Sequence, residues 1–523
     1  MQEQSTRAAT AKQGLVLAVY APFGTDAVLS EYPNTTQAGI RNQALVRSLQ
    51  QVAKQGVDVS ALVDLYDDDS YLVEIPAGRP AAMQIFSVWK QDMSSPRALA
   101  GFLRRTHDRF RCNTLVLALE GHGAGFIPDI DPARITPSSA SRWERGGKAG
   151  QVRWTFSEKR SSFEPEPGSP ALPMSSPELP MSSPELPAVR MPLSTWGMGE
   201  ALRLARRAGV PAPIVIHFNN CFNMSIEVLH TIAPHARFAT GYCNYNFFTA
   251  GEPYPKVFQR WRTTPGAGAQ DLARWFAAEN AAGLRAKGNH PTIGATVQLA
   301  RMKRIAAALD ELSDALVAAL RPVNAADRPA IRARIEAAIT ASLQYDSEGD
   351  YTLDVPDQST DLGSLAVRLQ QQFPAGPVFD GAKKLQAALH GLWQYGDFER
   401  PWLDENQIWD FRDQRIGMGA LLPDPSLEGR WDWRSPYYLA GKVDPTQPPA
   451  HKHVIPFLAE RAGGKRPPWV EFIVEYHRDV PFVGLLRAQA PQFPRFNREF
   501  KPEFPPPTDD PNKRDDGGSQ PCA

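Results

Sequence analysis

Cysteine is scarce in this chain: four among 523 residues, at Cys112, Cys221, Cys243 and Cys522, scattered and without paired spacing. That argues against a disulfide-stapled scaffold, and the absence of any CxxC pair removes the common zinc-ligand pattern. Charge of one sign is equally lacking, since 57 Lys and Arg balance 57 Asp and Glu. A neutral chain has no bulk attraction for nucleic acid or for an anionic membrane surface, so neither is expected as a partner. No run approaches the roughly 18 apolar residues that a membrane span requires. The first residues, MQEQSTRAATAKQG, show no apolar stretch after a basic one, so no secretory signal is read there and a cytoplasmic location is expected.

What is present suffices for a substantial core, with 42% of residues apolar. Short apolar runs read as buried strands at Leu15–Tyr20, Val57–Leu65, Thr114–Leu119, Ile214–Phe218 and Arg237–Tyr242. Helical spacing alternates with them. Leu45, Leu49 and Val52 share a face before Gly56, and Ser95-Pro96 opens a helix that turns Leu99, Phe102, Leu103 and Phe110 inward. Ser194 caps a third, carrying Met198, Leu202 and Ala205. Strands alternating with helices predict an α/β fold, a mostly parallel sheet flanked by helices.

After Asp271 the pattern turns mainly helical. Val297, Leu299, Met302, Ile305, Leu309, Leu312 and Leu316 outline one long helix, and Ile331, Ile335, Ile339 and Leu343 another. Asp361 caps a third with Leu362, Leu365, Leu369 and Phe373, while Ile416–Leu422 reads as a late strand and Trp469–Tyr476 as a final helix. Between Pro128 and Arg190 Pro and Ser accumulate and PMSSPEL occurs twice in tandem, at Pro173–Leu179 and Pro180–Leu186; Val152–Phe156 is a short strand candidate inside it. Such composition cannot bury a core. The expected division is a tail at 1–13, a catalytic domain at 14–275 with 128–190 as an inserted loop, a mainly helical domain at 276–500, and a tail at 501–523.

Chemistry concentrates at two strand ends. Strand TLVLAL runs into Glu120-Gly121-His122-Gly123-Ala124-Gly125, and strand IVIHF runs through two asparagines into Cys221. In a parallel sheet both lie on the carboxyl edge, where open α/β sheets bind ligands. A cysteine between a buried strand and a helix N-terminus is favoured as thiolate. A cysteine peptidase needs that thiolate, an imidazole to protonate the leaving amine, and backbone donors for the oxyanion; Cys221, His122 and the amides of Gly123 and Cys221 are the candidates. Histidine precedes cysteine, which excludes a papain-like order, and no GxSxG elbow is present to support an esterase. His217 and Cys112 read as structural, and Cys243 as a residue near the pocket. The acidic run Asp67–Asp69 reads as a solvated turn, calcium binding being the alternative; the chemistry itself requires no cofactor.

SSPRALAGFLRRTHDRF, TLVLALEGHGAG, STWGMGEALRLARRAG, IVIHFNNCFNMSIEVLHTIAP and FATGYCNYNFFTAGEPYP together resemble the clostripain family of cysteine peptidases, of the caspase-like clan. The similarity extends, more thinly, to STDLGSLAVRL, GMGALLPDPSLEGRWDW and WVEFIVEYH. The resemblance implies a caspase-like fold, a catalytic dyad of His122 and Cys221, and a protein or peptide substrate. It also implies cleavage after a basic residue, and often self-cleavage between histidine and cysteine. Two residues before the nucleophile that family commonly has aspartate, which pairs with the basic side chain of the substrate. Here Asn219 stands there: an amide can hydrogen-bond a guanidinium but lacks the charge that offsets its desolvation. Glu252, in the following loop, is the candidate to compensate. The reading from a different class is a catalytically silent caspase-like binding module.

Overall fold

The computed structural model describes residues 14–22, 37–64, 70–87, 93, 95–121, 123, 125–130, 193–244, 246, 251–286, 294–343, 345, 359–395, 402–404, 407–409, 417–422, 435–440 and 451–478. Both tails, Asp67–Asp69, His122, the strand candidate at 152–156 and the repeat-bearing loop from 131 to 190 lie outside the described residues.

The strands in chain order are β1 (Leu15–Pro22), β2 (Asp58–Asp64), β3 (Ser70–Ile75), β4 (Gln84–Ser87), β5 (Thr114–Glu120), β6 (Asp129–Ile130), β7 (Val215–Asn219), β8 (Phe238–Tyr242), β9 (Gly294–Gln298), β10 (Ser359–Asp361) and β11 (Trp393–Tyr395). Nine of them form one sheet in the order β11-β9-β8-β7-β5-β1-β2-β3-β4. Its centre, β8-β7-β5-β1-β2, is parallel throughout. The edge pairs β2/β3, β3/β4, β8/β9 and β9/β11 are antiparallel. The expected mostly parallel sheet flanked by helices is therefore what the chain forms.

Alternation along β1 explains the layering. Leu15, Leu17, Val19 and Ala21 enter one core, with α1 (Ala44–Lys54), α5 (Tyr254–Thr263) and α6 (Ala269–Ala286). Val16, Ala18 and Tyr20 enter the other, with α2 (Pro96–Phe110), α3 (Thr195–Arg207) and α4 (Ile226–Ile232). A strand covered on both faces must be apolar at every position, which is why these runs stand out. The helix starts follow from their caps. Ser95 accepts from the Arg97 N–H, Ser194 from the Gly197 N–H, and Asp361 from the N–H groups of Gly363 and Ser364.

The C-terminal region departs from expectation at the start of its long helix. Val297 belongs to β9 and Leu299 to a 3-10 turn, and the long helix, α7 (Met302–Leu320), starts only at Met302. The two-residue rhythm of Ala295 and Val297 merges there into helical spacing, and the apolar pattern alone does not divide them. Residues beyond 275 also share the first part's sheet and core. Strands β9 and β11 complete the sheet, and Ile216 and Val228 pack in one cluster with Leu309, Leu312 and Trp469. Against α7 pack α8 (Arg328–Thr340), α10 (Pro377–Leu389) and α12 (Pro468–Tyr476), which follows α11 (Ser435–Ala440); α9 (Leu362–Gln372) packs on α8 and α10. The remaining strands pair locally: β12 (Trp402–Asp404) with β13 (Gln407–Trp409), β14 (Gly419–Leu421) with β10, and β15 (His451–His453) with β6. Among the described residues no helix is long and apolar enough to cross a membrane.

Candidate active site

Three parallel strands, β5, β7 and β8, end beside one another, and the loops beyond their carboxyl ends converge. The register pairs Glu120 with Asn219. His122, two residues beyond Glu120, lies outside the described residues, but its neighbours Gly121 and Gly123 are described and buried. Gly121 and Gly125 both have positive φ, 104° and 65°, and bound the turn. Gly123 packs directly on the cysteine: a Cβ there would lie 2.7 Å from the Cys221 nitrogen and closer still to its carbonyl oxygen. Only glycine fits. Neither the Gly123 nor the Cys221 N–H has a hydrogen-bond partner among the described residues, so both are available as donors.

The third loop holds the sulfur. The main-chain N–H of Asn246 donates to Cys221 Sγ at 3.2 Å, and the Cys221 thiol donates to the Asn246 carbonyl oxygen at 3.6 Å. The same two loops are joined by Phe222 N–H to Asn244 O at 3.3 Å and Met224 N–H to Tyr242 O at 3.1 Å. Phe222 itself sits at φ 57°, a left-handed conformation rare for a bulky residue, directly after the candidate nucleophile. Cys221 has no exposed surface. The helix α4 starts five residues further on, with Ser225 as its N-cap accepting from Val228 N–H.

Asn219 is fully buried, and both ends of its amide are engaged. Its Nδ2 donates to Glu120 Oε2 at 2.8 Å, and its Oδ1 accepts from Asn246 Nδ2 at 3.0 Å. Asn246 Oδ1 in turn accepts from Asn280 Nδ2, on α6, at 3.1 Å. Glu120 Oε1 accepts from the Tyr254 hydroxyl at the start of α5. Burial pushes the Glu120 carboxyl up to about 7, against the opposing effect of the Tyr254 and Asn219 hydrogen bonds. His217, one turn of the pleat back from Asn219, stacks on Phe276 with ring centroids 4.6 Å apart, and burial lowers it to about 3. It is a neutral core residue, as its place in an apolar strand suggests.

Glu252 lies exposed on the turn that leads into α5, two residues before Tyr254. The structure thus brings Gly123, Cys221 and Asn219 together, and it ties the Glu252 turn to them through Tyr254 and Glu120. Glu120, Asn246, Asn280 and Tyr254 were not singled out from the sequence. The run Cys243-Asn244-Tyr245-Asn246 after a buried strand was the available signal, since polar residues just beyond a parallel strand sit on the ligand-binding edge.

Cys112 is buried against His107, with Nδ1 and Sγ 3.4 Å apart, and burial raises its thiol to about 11. Cys243 is buried beside Tyr345 and Asp361, and its thiol is likewise raised, first by desolvation and then by the Asp361 charge. Neither environment favours a thiolate.

The fold and this edge define an open, mostly parallel α/β protein with a cysteine-bearing loop set between two others. No protein-family profile and no curated protein matches the sequence. Among solved structures the chain is similar to a secreted C11 cysteine protease from Bacteroides thetaiotaomicron in complex with an irreversible peptide inhibitor. The identity is 12%, over 80% of this chain and 96% of that one, with a TM-score of 0.49. It is also similar to an inactive zymogen C11 protease from Parabacteroides distasonis, at 10% identity over 79% and 92% of the two chains, with a TM-score of 0.46.

Proposed function

We propose that this chain is a cysteine endopeptidase with Cys221 as nucleophile and His122 as its acid–base partner. The observation that carries the reading is the packing of Gly123 against Cys221, which joins the histidine turn to the cysteine loop. The Cys221 thiolate attacks the scissile carbonyl carbon, and the oxyanion that forms takes hydrogen bonds from the amides of Gly123 and Cys221. His122 delivers a proton to the departing amine and then accepts one from the water that releases the acyl group. No cofactor enters this scheme.

Cleavage after a basic residue is part of the proposal. Position 219 carries no charge, so the attraction is assigned to Glu120, bonded to Asn219, and to Glu252 on the exposed turn. The loop between histidine and cysteine is the expected processing segment, because its Pro- and Ser-rich composition suits entry into a protease cleft. Its basic residues Arg145, Lys148, Arg153, Lys159 and Arg160 precede the tandem repeat, so cutting is expected before the repeat.

One observation favours the silent-module alternative: Cys221 is fully buried. A peptide ending in an electrophile separates the two. It should label the protein at Cys221, located by peptide mass spectrometry, and His122→Ala should slow labelling at least tenfold. A protein that takes no label at Cys221, before or after the loop is cut, is a silent module.

A further inference from the structure

The peptidase reading leaves Asn246 without a role, yet its main chain forms two hydrogen bonds with the sulfur. Its main chain offers the sulfur both an N–H, at 3.2 Å, and a carbonyl oxygen, at 3.6 Å. Its side chain is fixed from two sides, by Asn219 Oδ1 at 3.0 Å and by Asn280 Nδ2 at 3.1 Å. Asn219 is fixed in turn by Glu120 at 2.8 Å, and Glu120 by Tyr254. All of these residues are fully buried.

The bond directions follow from the residue types once Glu120 is ionised. An ionised Glu120 only accepts, so Asn219 presents its Nδ2 to it and has its Oδ1 left for Asn246. Asn246 then donates through Nδ2, which leaves its Oδ1 for a donor, and Asn280 supplies one. An amide at each position satisfies both needs at once, and a carboxylate at 219 or 246 would not. The chain of four residues therefore has one consistent orientation. Networks of this kind rigidify what they hold.

We propose that Asn246 is a positioning residue for the nucleophile, and that the Glu120–Asn219–Asn246–Asn280 chain exists to hold its main chain against Cys221 Sγ. On this proposal Asn219, at the position beside the substrate pocket, orients the loop behind the sulfur. The N–H of Asn246 donates to the thiolate, and its fixed carbonyl holds the thiol before ionisation. This rests on Cys221 being the nucleophile, and the test below distinguishes the two claims.

The test uses the full-length protein and three variants: Asn246→Ala, Asn280→Ala and Asn280→Ser. Two rates are measured on each, peptide hydrolysis and alkylation of Cys221 by iodoacetamide, followed at that site by mass spectrometry. Asn280→Ala touches neither sulfur nor substrate and leaves Asn246 in place, so it remains informative if Asn246→Ala fails to fold. Both alanine variants should lose about tenfold or more in kcat with KM within about twofold, the pattern of a group acting on the chemical step. Alkylation should slow by a similar factor. Asn280→Ser, whose hydroxyl stops a bond short of Asn246 Oδ1, should be impaired like Asn280→Ala. Wild-type rates in folded Asn280→Ala and Asn246→Ala would overturn the proposal, as would wild-type rates in Asn280→Ser. If the wild type hydrolyses no peptide, the peptidase reading fails and the alkylation comparison still decides the clamp.

Discussion

Gly123 and Cys221 come from strands joined by about a hundred residues of chain, yet their backbones meet so closely that a methyl group at 123 would lie 2.7 Å from the Cys221 nitrogen. Gly123→Ala must push the two loops apart. Overpacking of this kind costs about 1–3 kcal/mol where the neighbour is backbone and cannot yield. We expect Gly123→Ala to cut kcat/KM by about 10²-fold or more, because displacing one oxyanion donor has an effect of that order. Steady-state kinetics with a thermal melt on the same sample would check this, and an alanine variant with wild-type kinetics would show that the contact is relaxed in solution.

Exchanging charge between Asn219 and Glu120 tests their relationship. Asn219→Asp alone faces Glu120 with a second carboxylate and removes the donor between them. Like charges at that separation cannot both ionise at neutral pH. The single variant should therefore be less stable than wild type, by about 1–3 kcal/mol in denaturant titration at pH 8, and less so at pH 5. Combining it with Glu120→Gln restores a donor–acceptor pair and moves the charge to 219. The double variant should recover the lost stability and cleave Arg and Lys peptides better than the single one. Additive stability losses would mean that the two side chains do not interact.

A buried glutamate whose carboxyl is raised to about 7 makes stability depend on pH. The folded protein holds this proton more tightly than the unfolded chain, so the contribution is full below the unfolded value, about 4.3. It is lost as pH rises through the folded value near 7. The magnitude is on the order of 3 kcal/mol. Glu120→Gln cannot lose a proton, and its stability relative to wild type should climb between pH 5 and pH 8. A parallel pair of stability curves over that range would contradict the assignment.

The cysteine helix is bound to the end of the chain through Glu227 on α4. Glu227 Oε1 accepts from the Leu421 N–H at 2.9 Å and from the Tyr438 hydroxyl at 2.8 Å, and Trp469 Nε1 donates to that hydroxyl at 2.9 Å. Burial raises the Glu227 carboxyl above its ordinary range. Glu227→Ala strands two donors, and we expect it to destabilise the whole chain by about 2–4 kcal/mol. Unfolding should remain one transition for both regions, since they share a core. Separate melting of residues beyond 276 would show that they form an independent unit.

How much of this was legible depended on where the physics is local. Strands buried on both faces announce themselves as apolar runs, and Ser95, Ser194 and Asp361 mark helix starts by side-chain oxygens that the structure shows in place. The edge hairpin of β3 and β4 has no such run, being short and interrupted by Pro76 and Pro80. The placing of β9 and β11 in the sheet depends on long-range pairing, which no local pattern encodes. At the site, the glycines around His122 and the position of Cys221 were readable because each is a constraint on its own loop. The asparagine chain was not. Its meaning lies in donors and acceptors from two strand ends, a loop and a helix, and one asparagine in isolation reads as a turn residue.

The central claim is that Cys221 and His122 act as one catalytic unit. Its most direct test is kcat/KM for a fluorogenic peptide ending in Arg or Lys, measured on wild type, Cys221→Ala, His122→Ala and Cys243→Ala after confirming that each folds. The account predicts a loss on the order of 10³-fold or more in each of the first two variants, because residues acting as a unit fail together. Cys243→Ala should lie within a few-fold of wild type. Full activity in Cys221→Ala would contradict it outright.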